Sequence, residues 1–513
     1  MMEVDLIAPI ARLMNRHVKN RPEQIAYSDS VRSVTYGQLA DNTAAIAANL
    51  AKAGLREGDR LAVYLPNGVD AIEACFAGLR AGAVIVPISY DAAEGEISYR
   101  LTDADCSFIV TTAERRELMT RISRVANIAP RMIFAGHDAE SVGTALSSLA
   151  QHADAKPLDP EDIDRSSFII YTSGTTGRAK GVLLSIRGML WIAAACWAPI
   201  CGLSPKDVLL SPLPLFHSYG LNLSVLGVLA VGASEHLMER FSPQLALDLM
   251  QSGKYTVFPG VPTMFHYLLH KAQETRVERL GNIRLCISAG AIMPATLNRA
   301  FEERFKTPLL DGYGITETST MVTMNWLSGA RPSGSCGLPV PGLAVRIVDP
   351  NTLEDVAIGG EGELIVRGPN LMHGYHNKPK ETASALRKGW YHTGDLAKSD
   401  PAGYLTITGR IKELIIRGGQ NIAPAEIEEV VVRHPQVKDC AVVGVTHATL
   451  GEVPCLFVVA KENALDVPSL MDHCRAHLSA YKIPEATHLV GEIPRTGSGK
   501  IMRFKLIEAL SQS

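Results

Sequence analysis

Short apolar runs alternate with longer segments of helical periodicity along most of the chain. Residues 36–53 are Ala-rich with helical spacing, and Gly54 stands where a helix C-cap belongs. A short apolar run at 60–65 follows, then a helix ending near Ala81 and a second run at 83–87. The rhythm continues at 107–111, 131–134, 168–171, 256–259 and 284–288. Helix starts are marked by Ser242-Pro243 and Met293-Pro294, where Pro suits a first helical position. Strands separated by helices of this length predict βαβ units and largely parallel sheets. They are too many for one sheet, so two packed α/β layers are expected.

The pattern changes at residues 359–368, where Gly-Glu-Gly-Glu is followed by Leu-Ile-Val without a long helix, predicting a smaller β subdomain. A boundary falls near Gly409-Arg-Ile-Lys412. Beyond it the pattern predicts a strand (413–417), a helix (424–434), two strands (437–445 and 453–460), a helix (467–478) and a last strand (487–490). The fold class is therefore a large α/β N-terminal domain with a small α+β C-terminal domain. The expected division is 1–409, a hinge at 410–413, and 414–513. Unequal domains of this kind place a ligand site at their interface.

Length and composition agree with this division. At 513 residues the chain exceeds one ordinary core, and its 46% apolar and 20% charged residues are those of a soluble globular protein. The net charge of −3 is spread without a basic stripe, which argues against nucleic-acid binding. Nine dispersed cysteines without a C-x-x-C pair read as reduced thiols, and a cytoplasmic location is expected. The N-terminal stretch has no secretory pattern, and the C-terminal Ser-Gln-Ser is not a peroxisomal tripeptide. Residues 208–234 carry no Asp, Glu, Lys or Arg, but Pro212, Pro214, His217, Asn222 and several Gly and Ser divide them. They read as core strand, turn and helix rather than a membrane span.

The chemistry-bearing segment is Tyr171-Thr-Ser-Gly-Thr-Thr-Gly-Arg-Ala-Lys-Gly-Val182. Gly174 and Gly177 permit tight turns with inward N–H groups, and Thr172, Ser173, Thr175 and Thr176 add hydroxyl donors beside Arg178 and Lys180. Phosphate oxygens need such donors. By composition alone the run is equally a Ser/Thr/Gly hairpin turn, and it does not register on a Walker A loop.

The run resembles the signature loop of the adenylate-forming superfamily, in its acyl-CoA synthetase branch. The likeness extends to Leu215-Phe-His217-Ser-Tyr-Gly220, Asp311-Gly-Tyr-Gly-Ile-Thr-Glu317, Tyr391-His-Thr-Gly-Asp395, Gly409-Arg-Ile-Lys-Glu413, Gly418-Gly-Gln-Asn-Ile-Ala-Pro424 and Pro494-Arg-Thr-Gly-Ser-Gly-Lys-Ile501, in family order. It implies an ATP-dependent acid–CoA ligase: acid and ATP give acyl-AMP and pyrophosphate, and CoA thiol then gives acyl-CoA and AMP.

The resemblance also implies roles. Thr172, Ser173, Gly174, Thr175, Thr176, Gly177 and Lys180 would hold the β- and γ-phosphates. Gly290, Ala291, Asp311, Gly312, Tyr313 and Gly314 would form the adenine site, with Tyr313 stacked on the base. Thr316 would touch the α-phosphate, and Glu317 would ligate Mg²⁺. Asp395 would accept from the ribose hydroxyls, with Arg410 assisting. His217 would border the carboxylate, and Lys500 would bridge carboxylate and α-phosphate. Lys412 matches the hinge position, and Gly418 and Gly419 the pantetheine channel. Tyr219, Asn222, Val261, Ala289, Ile315 and Met321 would line the acyl pocket. Ser218 stands where amino-acid-activating relatives carry Asp, so a fatty or aromatic acid is expected. Tyr219 and Asn222 leave room for a polar substituent. Glu413 replaces a common Asp, and Ser288-Ala289-Gly290-Ala291 replaces a double-glycine run. An acyl carrier protein is the alternative thiol acceptor, and the expected assembly is a monomer or homodimer without integral membrane association.

Overall fold

The computed structural model describes residues 2–172, 179–418, 420–461, 465–496 and 499–511. Ser173, Gly174, Thr175, Thr176, Gly177, Arg178 and Gly419 lie outside them.

Two mostly parallel sheets carry the N-terminal region. In the first, the strands Ile25–Ser28, Ser234–Leu237, Val208–Ser211, Val257–Gly260, Leu285–Ser288 and Leu309–Tyr313 run parallel. Antiparallel partners close each edge. In the second, Ser166–Thr172, Val84–Pro87, Arg60–Tyr64, Cys106–Thr112 and Arg131–Ala135 run parallel, and Lys180–Ser185 folds back antiparallel on Ser166–Thr172. Every apolar run of the parallel pattern is a strand here, because strands covered on both faces need continuous apolar sequence.

The helices between the sheets share one core with both. Ile46 and Leu50 of Tyr36–Lys52 and Phe76 of Val69–Arg80 pack with Leu61 and Ile85 of one sheet and Leu209 and Val257 of the other. Tyr36–Lys52 starts at a capping box: Thr35 accepts from Gln38 N–H and the Gln38 side chain accepts from Thr35 N–H. Ser242 likewise caps Pro243–Gln251. Pro294 differs from expectation by one position, serving as the N-cap of Ala295–Phe305.

Residues 208–237 confirm the broken reading. Strand Val208–Ser211 turns into a helical stretch whose middle, Leu221–Gly227, is π-helical, and Ser234–Leu237 follows. Among the described residues no helix is long and apolar enough to cross a membrane.

A five-stranded antiparallel sheet contains Ala344–Val348, Gly362–Arg367, Leu386–Arg387, Trp390–Ser399 and Leu405–Arg410. The turn Ile411–Glu413 leads out of it into the last sheet, built from Ile415–Arg417, Gln420–Ile422, Val437–His447, Gly451–Ala460 and Ala486–Leu489. The expected strand at 413–417 thus begins two residues later, after the turn. The helices Pro424–Val431 and Val467–His477 match the pattern, while Arg503–Ser511 was not read from it. All nine cysteines are free and buried.

Candidate active site

Parallel strands deliver their C-terminal ends to one rim, where ligands bind in α/β sheets. Strand Leu309–Tyr313 brings Asp311, Gly312 and Tyr313 there, and the chain then turns sharply through Gly314. A Cβ at Gly314 would lie 1.4 Å from the Thr320 carbonyl oxygen, so only glycine fits. Residues 316–318 make a single 3₁₀ turn. Ser319 (φ 52°) and the β-branched Thr320 (φ 110°) then adopt positive φ, which residues other than glycine rarely take.

Braces hold this loop. Asn370 donates to the carbonyls of Thr318 (2.7 Å) and Met321 (3.1 Å), Asn222 donates to that of Ser319 (3.0 Å), and Thr320 donates to that of Ser218 (2.9 Å). The result fixes Thr316 and Glu317. The Thr316 hydroxyl is 3.1 Å from that of Ser218, and Glu317 Oε1 accepts from Tyr375 at 2.9 Å. Lys180 lies 4.4 Å above the Tyr375 ring. Thr172 pairs with Lys180 across the two strands that flank residues 173–178, so the phosphate-loop ends meet Glu317 through Tyr375.

On the other side Asp395, almost wholly buried, accepts from the Tyr313 hydroxyl at 2.5 Å and pairs with Arg410 at 2.7 Å. Burial and then the Asp395 charge push the Tyr313 phenol well up, so it stays a donor. Asp311 is buried with Oδ1 unpartnered, and burial drives its carboxyl well above the ordinary range.

Lys500 arrives from the last sheet's unit. Burial lowers its ammonium pKa, Arg410 lowers it further, and Asp395, Glu317 and Glu413 oppose them. The same lysine, after burial, helps hold His217 down at about 3. Residues 217, 317, 395, 410 and 500 are therefore one electrostatic cluster formed by two domains. His217 Nδ1 accepts the Tyr219 backbone N–H at 3.2 Å, which leaves the ring's remaining proton on Nε2.

The described residues on either side of the Lys500 loop are anchored. Thr496 N–H donates to Lys500 O (2.8 Å), Lys500 N–H donates to the Thr496 hydroxyl (3.1 Å), and Arg495 binds Asp439 (2.8 Å). Arg503 holds both Glu428 (2.6 Å) and Glu413 (3.2 Å), tying the segment after Lys500 to the end of the 411–413 turn. Lys412 within that turn is exposed. Gly418 (φ 56°) donates to Leu450 O within its own unit.

Beside His217 lies a narrow apolar cleft, lined by Leu213, Pro214, Tyr219, Val261, Met264 and Gly290 among others. Of the expected pocket residues, Tyr219 and Val261 line it, joined by Gly290, which was expected at the adenine site; Ala289 and Met321 are buried, and Ile315 is half-buried. A Cβ at Gly499 would lie 3.3 Å from Val261, so the Lys500 loop reaches the cleft's mouth. Asn222 offers no room for a substituent. Its amide oxygen accepts from Trp197 (2.7 Å), and its nitrogen donates to Met189 O (2.9 Å) and Ser319 O.

Tyr375, Asn370, Trp197 and Arg503 escaped the sequence reading. Gly374-Tyr375 pairs with the strand that begins at Lys180, which no local spacing announces.

Comparison with known proteins agrees with this arrangement. The family model for "AMP-binding enzyme" matches residues 14–376, and that for the "AMP-binding enzyme C-terminal domain" matches 426–500. A sulfoacetate–CoA ligase of Cupriavidus necator is 35% identical, with 93% of each chain covered. A long-chain-fatty-acid–CoA ligase of Bacillus subtilis is 32% identical, covering 95% of this chain and 92% of that one. A feruloyl-CoA synthase of an Amycolatopsis species is 32% identical, covering 95% and 96%. The crystal structure of ATP-bound MatB from Rhodopseudomonas palustris superposes with a TM-score of 0.89 at 31% identity, over 97% of this chain and 98% of that one. The chain belongs to the AMP-binding enzyme family. Its activity is that of an AMP-forming acid–CoA ligase.

Proposed function

We propose that the site described above activates a carboxylic acid with ATP and passes the acyl group to CoA. The observation that carries this reading is the meeting of Lys500 from the C-terminal unit with His217, Glu317, Asp395 and Arg410 of the N-terminal one.

The first half-reaction brings two anions together. A carboxylate oxygen attacks the α-phosphorus, an O–P bond forms, and the bond to pyrophosphate breaks with its electron pair leaving on pyrophosphate. Charge and alignment are the obstacles. Lys500 supplies the cation between carboxylate and α-phosphate, and two arriving anions offset the burial that depresses its pKa. Neutral His217 donates from Nε2–H toward the carboxylate without adding charge. Asp395 receives the ribose hydroxyls, Tyr313 presents its ring to adenine, and the unpartnered Asp311 oxygen is an acceptor for the base. Residues 172–177 and Lys180 hold the β- and γ-phosphates, and Thr316 the α-phosphate.

Magnesium fits Glu317. Among the described residues no group of three or more His, Cys, Asp or Glu could hold a metal, and a single carboxylate completed by phosphates and water is how this ion binds nucleotide sites. When bound, it would neutralise phosphate charge. Tyr375 orients Glu317 for that role.

In the second half-reaction the thiol loses its proton and its sulfur attacks the acyl carbon. The carbon–oxygen bond to AMP breaks, and AMP leaves. The 410–413 segment with Lys412 acts as the hinge that exchanges Lys500 for the Gly418–Gly419 face, dividing the chain into 1–409 and 414–513. An acid panel with ATP and CoA, reading AMP and thioester, tests the reading; acid-dependent AMP without CoA thioester, restored by a holo-carrier protein, would shift the acceptor to the carrier.

A further inference from the structure

The cleft beside His217 ends early, and what closes it lies outside the set of residues that face the ligand. Tyr219 forms the inner wall, its hydroxyl donating to the Ile287 carbonyl at 3.1 Å. Directly behind its ring stands Trp197, with centroids 6.2 Å apart and planes 28° from parallel. Trp197 is fully buried, and its indole N–H donates to Asn222 at 2.7 Å. Asn222 in turn is bonded to the backbone of Met189 and Ser319, the latter in the strained loop beside Thr316.

This wall has a structural origin. Trp197 ends the π-helical segment Ala193–Trp197, and Asn222 lies in the π-helical segment Leu221–Gly227. The wider π turn redirects side chains relative to an α-helix and is frequent at functional sites. Here it sets the indole against the amide. Gly227 completes the fit: a Cβ there would lie 3.1 Å from Trp197 Cδ1, so the indole rests on bare backbone. Retracting Tyr219 would require Trp197 to leave Asn222, and a buried donor and acceptor would both lose their partners. The wall is therefore fixed rather than gated.

Two properties of the space follow. The enclosed part of the cleft amounts to only about 10 Å³, far below the range of about 300–1,000 Å³ for small-molecule pockets. Its named lining includes no Asp, Glu, Lys or Arg, and His217 is neutral at physiological pH. A second anionic group on the acid would be buried without a partner, which is strongly unfavourable.

We infer that the hydrogen-bonded pair Trp197–Asn222, by backing Tyr219, is the depth stop of the acid site, and that the substrate is a compact monocarboxylic acid with an uncharged body, such as a small aromatic or short branched acid. The inference rests on the acid-activating reading above and specifies its substrate class. It separates this chain from both a long-chain acid and a small acid bearing a second anion.

The test uses the full-length enzyme with ATP and CoA against benzoate, 2-methylpropanoate, octanoate, palmitate and succinate. For the wild type, kcat/KM for benzoate or 2-methylpropanoate is expected to exceed that for palmitate and succinate by about a hundredfold. Trp197→Leu removes the backing while keeping an apolar core; it is expected to raise kcat/KM for octanoate at least about tenfold through a lower KM, with the KM for ATP unchanged. Trp197→Phe, which keeps a ring but loses the indole donor, should fall between. Equal use of palmitate or succinate by the wild type overturns the inference, as does an unchanged chain-length profile in a folded Trp197→Leu variant. Should that variant not fold, binding of non-hydrolysable acyl-sulfamoyl adenosines of two to sixteen carbons to the wild type decides: affinity that keeps rising to sixteen carbons overturns the stop, and a sharp fall beyond short acyl groups supports it. Absence of AMP release with every acid would instead overturn the acid-activating reading itself.

Discussion

Tyr313 and Asp395, separated by 82 positions in the chain, share a hydrogen bond of 2.5 Å, and Arg410 holds the other Asp395 oxygen at 2.7 Å. One carboxylate thus joins Tyr313 to the last strand before the Ile411–Glu413 turn. Asp395→Asn keeps the shape but removes the charge that Arg410 balances. Breaking a buried pair is costly, and ATP binding should suffer most. The expected outcome is a rise in KM for ATP of about tenfold or more with little change in KM for the acid; an unchanged ATP dependence would remove Asp395 from the nucleotide site.

Lys500→Ala separates the half-reactions. Loss of one preorganised cation should slow acid-dependent pyrophosphate release by about 10²–10³-fold. Thioester formation from supplied acyl-adenylate should be retained. Equal losses in both assays would assign Lys500 a structural role.

Lys500 lies within the cluster, which on the proposed reading is the arrangement for the first half-reaction. Lys412→Pro stiffens the exposed middle of the Ile411–Glu413 turn. Pyrophosphate release should persist while thioester formation from supplied adenylate falls, as single-turnover measurements would show. Normal rates in both would move the hinge elsewhere.

Glu235 offers a test of stability rather than catalysis. On strand Ser234–Leu237, burial raises its carboxyl to about 8, with the hydroxyls of Ser224 and Ser211 opposing the shift. The folded state therefore holds a proton that the unfolded chain releases near pH 4.5. Its contribution is complete below that pH and is lost as pH rises toward 8. Glu235→Gln should melt higher than the wild type at pH 8, with the gap closing toward pH 5. A gap independent of pH would show that Glu235 does not titrate in this range.

Much of the architecture was legible because both determinants are local. Parallel strands buried on two faces need unbroken apolar runs such as Leu61–Tyr64 and Leu285–Ile287, and caps such as Thr35 and Ser242 mark where helices begin. The motifs that carry His217, Glu317, Asp395 and Lys500 stood out in the sequence because each lies in a run of small or polar residues whose order and spacing are themselves informative. The departures are equally instructive. Asn222, expected to leave room for a polar substituent, is instead bonded to Trp197, Met189 and Ser319, which no local pattern connects to it.

By itself, then, the sequence determined the βα rhythm, the break near residue 410 and the motifs that mark the family, since these rest on periodicity and short runs of residues. Only the tertiary structure decided that Tyr375 orients Glu317, that Arg503 ties the Lys500 segment to Glu413, and that Trp197 and Asn222 close the acid cleft. Each of those contacts spans 25 to 90 positions, as Asn222 and Trp197 or Arg503 and Glu413 illustrate. Hydrogen bonds across such distances depend on how sheets and π-helical turns pack, and no local pattern of apolar and polar residues encodes that packing.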